Sequence, residues 1–209
     1  DLAISFDSLG RYDEALRCYD KALGYDPQNN AVWTNKGASL HSLGRDEEAI
    51  HCYDKALEFD PASAGAWSNK GSSLNSLGRY EEAIACIDKA LGIDSVYVGA
   101  WNNKGSSLFG LGRYQEAVGC YDKAIELDPL DTAAWYNEGN ALFKLGRHED
   151  AIGCYDRVIG LEPRYAPGWY NKGLCLDSLG RHEEAVECYD KALELKPELA
   201  AAWRNKGFD

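Results

Sequence analysis

Between Ala31 and Leu43 the apolar residues Val32, Trp33, Leu40 and Leu43 recur at helical spacing, with the small residues Gly37 and Ala38 between them. This spacing predicts a helix, termed helix A, that stops at Gly44, because glycine adopts the left-handed conformation of a helix C-cap without steric strain. Glu47 and Glu48 then occupy the first turn of a second helix, helix B, where the positive end of the helix dipole favours carboxylates. Its apolar stripe is Ala49, Ile50, Cys52, Tyr53, Ala56 and Leu57. Asp60-Pro61 predicts its end, since proline disfavours helical backbone in the preceding residue and cannot extend the hydrogen-bond ladder.

The pattern then returns with a period of 34 residues. Trp33, Trp67, Trp101, Trp135, Trp169 and Trp203 keep that spacing, as do the Leu-Gly-Arg triplets that begin at Leu9, Leu43, Leu77, Leu111, Leu145 and Leu179. Five complete units span 30–63, 64–97, 98–131, 132–165 and 166–199, flanked by partial ones at 1–29 and 200–209. A single pair of short amphipathic helices cannot bury its own apolar faces, whereas stacked pairs share a continuous core. The chain is therefore expected to be an all-α solenoid forming one domain over 1–209. Gly37 and Ala49 are expected where helices A and B of one unit approach, and Ala56 where helix B meets the next helix A, with Trp33 and Tyr53 filling the space these small residues leave.

The recurring Trp33, Gly37, Ala49, Tyr53, Ala56 and Pro61 resemble the pattern of the tetratricopeptide repeat family, and the likeness runs the length of the chain. The resemblance implies a right-handed superhelix of antiparallel helix pairs, a concave surface lined by helix A, and a non-enzymatic scaffold that binds a protein or peptide. One position departs from the family. With Asn30 counted as the first position of its unit, the seventh usually carries Leu, and here it carries Lys36, Lys70, Lys104, Glu138, Lys172 and Lys206. These charges lie beside the core and are expected to reach towards the helix surface.

Composition narrows the function further. Twenty-two basic against 34 acidic residues give a net charge of −12. That balance, with no basic cluster, argues against nucleic acid, whose binding rests on neutralising phosphates. No apolar run approaches the roughly 20 residues of a membrane-spanning helix, so no membrane partner is expected. Six of the seven cysteines share one helix-B position and Cys175 is the exception. Equivalent atoms of stacked units lie beyond the ~7 Å that a disulfide allows between α-carbons, so the thiols read as small buried hydrophobes suited to a reducing, cytoplasmic setting. His41, His51, His148 and His182 share no metal-ligand spacing and are expected at the surface. Carboxylate pairs such as Glu47-Glu48 and Glu81-Glu82 repeat with the fold, and no enzyme, metal or cofactor is expected.

Candidate binding residues follow from the resemblance, which points to the helix-A face. Its sixth position is Asn35, Asn69, Asn103, Asn137, Asn171 and Asn205. A row of carboxamides can offer a donor and an acceptor to successive peptide groups, like the asparagine ladder known within the family; the same residues can equally serve local hydrogen bonds. Phe109, Tyr136, Asn140, Phe143 and Tyr170 bring aromatic and amide groups to this face from the middle of the chain onward, either as binding anchors or as cover for helix A. Asn140 and Asn171 match the two amides of the family's carboxylate clamp, but Tyr136 and Ala201 stand where basic residues are required. A rival reading is head-to-tail self-association through apolar ends bearing Phe6 and Leu16, and Trp203 and Phe208.

Overall fold

The computed structural model describes residues 2–199, 203, 205 and 207. Phe208, Ala201 and Lys206 lie outside the described residues. Among those described, twelve helices and no strand occur. They are α1 (Leu2–Ser8), α2 (Tyr12–Tyr25), α3 (Asn30–Ser42), α4 (Asp46–Phe59), α5 (Ala64–Ser76), α6 (Tyr80–Ile93), α7 (Val98–Gly110), α8 (Tyr114–Leu127), α9 (Thr132–Lys144), α10 (His148–Leu161), α11 (Ala166–Ser178) and α12 (His182–Leu195). Two compact units result, Asp1–Leu111 with α1–α7 and Gly112–Asp209 with α8–α12. Within each, every helix packs on the next, and helix A packs on helix A of the following repeat (α3 on α5, α5 on α7, α9 on α11). This is the layered arrangement of an α-solenoid.

The Leu-Gly-Arg triplets close helix A as their composition requires. Gly44 has φ +72°, its N–H donates to His41 O at 2.8 Å, and the N–H of Arg45 donates to Leu40 O at 2.9 Å. This double closure satisfies carbonyls that the helix end would leave bare. The Arg45 guanidinium then bridges both oxygens of Glu48 at 2.7 Å, and Arg79 with Glu82, Arg113 with Glu116 and Arg181 with Glu184 repeat the clasp at the start of helix B.

Close approach within a pair depends on glycine. A Cβ on Gly37 would lie 2.6 Å from the Tyr53 ring, one on Gly139 2.8 Å from Tyr155, and one on Gly173 2.5 Å from Tyr189. These tyrosines are nearly fully buried. The tryptophans instead tie repeats to their preceding loops: Trp33, Trp67, Trp135, Trp169 and Trp203 donate from Nε1 to the carbonyls of Pro27, Pro61, Pro129, Pro163 and Pro197 at 2.9–3.0 Å.

The end residues correct one expectation. Leu16 is buried in the cluster of Leu40, Ala49, Cys52 and Tyr53, and so belongs to the core between repeats. Phe6 is half-buried, and Trp203 is 42% exposed. No helix among the described residues is long and apolar enough to cross a membrane.

Candidate functional site

Helix A presents two distinct faces. On α3 one bears Asn35, Ala38, Ser39 and Ser42, lining a cleft with Tyr12 and Tyr19; the other bears Trp33, Lys36 and Leu40, lining a cleft with residues of α2 and α4. The asparagine row lies on the first face. Asn35, Asn69, Asn103, Asn137 and Asn171 are half-buried and Asn205 is exposed.

Their amide donors are engaged between repeats. Asn103 Nδ2 donates to Ser68 Oγ at 3.3 Å, Asn171 Nδ2 to Tyr136 Oη at 3.1 Å, and Asn205 Nδ2 to Tyr170 Oη at 3.2 Å. In each case the acceptor is the fifth position of the preceding repeat. Asn171 Nδ2 also reaches Asn140 Oδ1 at 2.9 Å, which accepts from Tyr155 Oη at 2.8 Å. The local hydrogen-bonding alternative is thus realised at these three asparagines, which fasten neighbouring helices A.

The two units differ along this face. In the first, buried serines link each repeat to the one before: Ser39 Oγ to Asp7 Oδ1 at 2.6 Å, Ser73 Oγ beside His41 Nδ1 at 3.2 Å, and Ser107 Oγ to Asn75 Oδ1 at 2.7 Å. In the second, the serine positions are Ala141 and Cys175, both fully buried, and aromatics dominate. Tyr136 meets Tyr165 edge-on at 5.4 Å and Tyr155 at 6.0 Å, while Tyr170 lies 5.8 Å from Tyr189. Phe143 packs on His148 at 5.2 Å, and Phe109, in the first unit, is half-buried on α7. His148 is therefore not the surface residue expected: it is half-buried, and its Nδ1 has no hydrogen-bond partner.

The sequence also concealed a polar constellation around His41. Its Nδ1 lies 2.5 Å from Asp46 Oδ1 and its Nε2 3.5 Å from Ser72 Oγ. The order resembles a hydrolytic triad, but Ser72 stands inside α5, where the backbone N–H groups are committed to the helix and cannot stabilise an oxyanion. The cysteines are mostly buried, and burial pushes the Cys52 thiol up to about 11 and Cys175 up to about 12, so neither supplies a thiolate nucleophile near neutrality. The second face of helix A carries ammonium–carboxylate bridges: Lys36 to Asp20, Lys70 to Asp54, Lys104 to Asp88 and Lys172 to Asp156, at 2.5–2.7 Å. The expected reach of these lysines thus ends on a specific partner in the preceding helix B. Glu138 faces Asp122 instead, and burial together with that negative charge raises its carboxyl to about 7.

Comparison with known proteins agrees with this geometry. Models of the tetratricopeptide repeat match residues 1–64 and 102–166, 62–128, and 166–199. No curated protein matches the chain. Among solved structures, YrrB, described as a TPR protein with an unusual peptide-binding site, is 28% identical over 90% of this chain and 97% of its own, with a TM-score of 0.70. MamA is 26% identical over 84% of this chain and 96% of its own, also at 0.70. A chain of the APC/C hetero-tetramer Cut9-Hcn1 shares the fold at a TM-score of 0.88 and 20% identity, over 98% of this chain and 40% of its own. Tandem Leu-Gly-Arg caps, Trp-to-loop ties, Gly-on-Tyr contacts and these matches together make the chain a member of the tetratricopeptide repeat family, whose repeats are protein-interaction scaffolds.

Proposed function

We propose that the chain, acting as one array over residues 1–209, binds an extended peptide segment of a partner protein on the helix-A face, with Tyr136, Asn140, Phe143, Tyr170 and Asn171 as the main contacts. The observation that supports this reading most is the network that joins Tyr136, Asn140, Asn171 and the buried Tyr155, because it fixes the half-exposed Tyr136 ring before any ligand arrives. A preorganised surface loses less side-chain entropy on binding, and tyrosine gives large contact area with few rotatable bonds. The peptide site named for YrrB supports a peptide as the ligand class. In the first unit, Asn35, Asn69, Asn103 and Phe109 occupy the corresponding repeat positions, with buried serines nearby. The acidic balance, together with buried thiols, suits a cytoplasmic protein with no nucleic-acid or membrane partner.

Selection from a random peptide library, followed by anisotropy titration of the peptides obtained, tests this reading. Tyr170→Ala is expected to weaken the selected peptides about tenfold at a temperature well below its unfolding midpoint, where the variant remains folded. Selection that yields no saturable binder, or binders indifferent to Tyr136, Phe143 and Tyr170, would overturn it. A second reading, end-to-end self-association, draws on the exposed Leu2 and Ile4 of α1. It requires an average mass that rises with concentration in sedimentation equilibrium and falls on changing both residues to Ser.

A further inference from the structure

Four repeats show what the second face of helix A is built to hold. In each, a lysine ammonium from helix A sits 2.5–2.7 Å from an aspartate of the preceding helix B. For Lys36, Lys70 and Lys104 it also lies 5.4–5.8 Å from the centroid of the tryptophan one turn earlier. The clefts in which Lys36 and Lys172 lie are open and have volumes of about 700 and 440 Å³.

In the repeat of α9 the aspartate (Asp122) and the tryptophan (Trp135) are both retained, and the lysine is replaced by Glu138. Glu138 is only 8% exposed, and its Oε2 has no hydrogen-bond partner. Its carboxyl meets the Asp122 carboxylate of α8 and the Cys154 thiol of α10. Arg147, whose charge also reaches Glu138, is itself bound to Asp150 Oδ2 at 2.8 Å. Two carboxylates therefore converge where the other repeats place a cation. No group of three or more His, Cys, Asp or Glu residues suited to a metal ion occurs among the described residues, and two carboxylates alone are a poor cage for a divalent ion.

We propose that Asp122 and Glu138, on the face of α9 opposite to the candidate peptide groove, form a receptor for a lysine side chain presented by a partner protein. The ammonium takes the place that Lys36, Lys70, Lys104 and Lys172 occupy in their own repeats, accepted by Asp122 at the exposed end and by Glu138 Oε2 at the buried end. An ion pair that satisfies an otherwise orphaned buried carboxylate is worth more than an exposed one, because the uncompensated group is costly to keep. Until the cation arrives, burial favours the protonated form of Glu138; the arriving ammonium favours the carboxylate, and the proton is released to solvent.

The test uses the whole chain, with n-butylammonium as the lysine-end probe and sodium at equal ionic strength as control. The reporters are the ¹³C carboxyl resonance of Glu138 and the indole N–H of Trp135. The expected result is a saturable n-butylammonium shift of both signals and a lower Glu138 titration midpoint, with sodium producing neither. Glu138→Lys fills the site from within and is expected to abolish the Trp135 response. Asp122→Asn, at an exposed position that does not threaten folding, is expected to weaken it about tenfold. A peptide, acetyl-Gly-Lys-Gly-amide, should reproduce the shift, and acetyl-Gly-Gln-Gly-amide should not. Equal effects of sodium and n-butylammonium, or a Trp135 response that survives both substitutions, would overturn the proposal. Neither outcome bears on peptide binding at the opposite face.

Discussion

Asn171 Nδ2 donates to the hydroxyl of Tyr136, a residue one repeat earlier, at 3.1 Å, so a residue proposed to meet the peptide also fastens neighbouring helices A. Because the same amide also reaches Asn140 Oδ1, Asn171→Ala removes two bonds between neighbouring helices A, although Asn140 Oδ1 still accepts from Tyr155 Oη. The expected cost is about 1–3 kcal/mol, read from urea unfolding. Loss of partner binding in that variant is therefore ambiguous by itself. Tyr170→Phe, which removes only a hydroxyl accepting from Asn205, is expected to change stability by less than about 1 kcal/mol and gives the cleaner comparison.

Glycines in the same helices are expected to respond in opposite directions. Gly37→Ala drives a Cβ to within 2.6 Å of the Tyr53 ring, which is buried and has no room to retreat, so a loss of about 1–3 kcal/mol is expected. Gly153 lies within α10 with nothing within 4 Å of its would-be Cβ, and Gly153→Ala is expected to add about 0.5–1 kcal/mol through helix propensity. Thermal or urea unfolding of the two variants side by side checks both signs.

Much of this packing was legible in the sequence, and the reason is local. Leu-Gly-Arg and Asp-Pro each act on the backbone of neighbouring residues, so helix ends could be placed from composition alone. The Gly37–Tyr53 contact was legible because a single period fixes both positions within one helix pair. What could not be read depends on groups in different helices. The sixth-position asparagines read equally as ligand groups or as local hydrogen-bond partners, and only the structure shows that Ser68, Tyr136 and Tyr170 accept from three of them. His148 looked solvent-exposed because nothing in its own helix indicates that Phe143 covers it. Glu138 stood out only as an odd residue, and its meaning required Asp122 across the helix-A/helix-B seam.

That carboxyl makes stability depend on pH with a definite sign. Folding raises Glu138 from the ordinary 4.5 to about 7, so the folded state holds a proton that the unfolded chain has already released. Below about pH 4.5 both states are protonated and the group costs nothing; between there and about pH 7 its penalty grows, and above that it is constant. The full penalty is on the order of 3 kcal/mol. Glu138→Gln is therefore expected to gain stability relative to the parent as pH rises from 5 to 8, and Glu138→Lys to gain more by restoring the bridge to Asp122. Unfolding midpoints across that range, with parent and variant compared at each pH, cancel the opposing titration of other carboxylates. Parallel curves would mean that Glu138 ionises freely in the folded chain.

The segment 86–98 is expected to be the least protected link between repeats. Ile87 stands where other repeats have tyrosine, Gly92 weakens the end of α6, and Ser95 replaces the loop proline. The structure adds a fourth weakness: Tyr97, the residue before α7, gives no side-chain cap, whereas Asn29, Ser63 and Asp131 each accept from the first turn of α3, α5 and α9. None of these defects distorts the packing. Ile87 is fully buried against Gly71, and Ser95 O accepts the Trp101 indole at 2.9 Å, as the proline carbonyls do in other repeats. The weakness therefore lies in chain entropy and capping, and single substitutions can repair it. Ser95→Pro places the residue found at the same loop position in other repeats and is expected to add about 0.4–1 kcal/mol. Tyr97→Asp supplies the missing cap and is expected to add about 1 kcal/mol, less whatever the tyrosine ring contributes by covering Gly99. Amide hydrogen exchange resolves the question by segment: in the parent, 86–98 is expected to exchange faster than 120–132, and either repair should narrow the gap. Equal protection in the parent would show that contacts of α6 with its neighbours already outweigh the loop and cap defects.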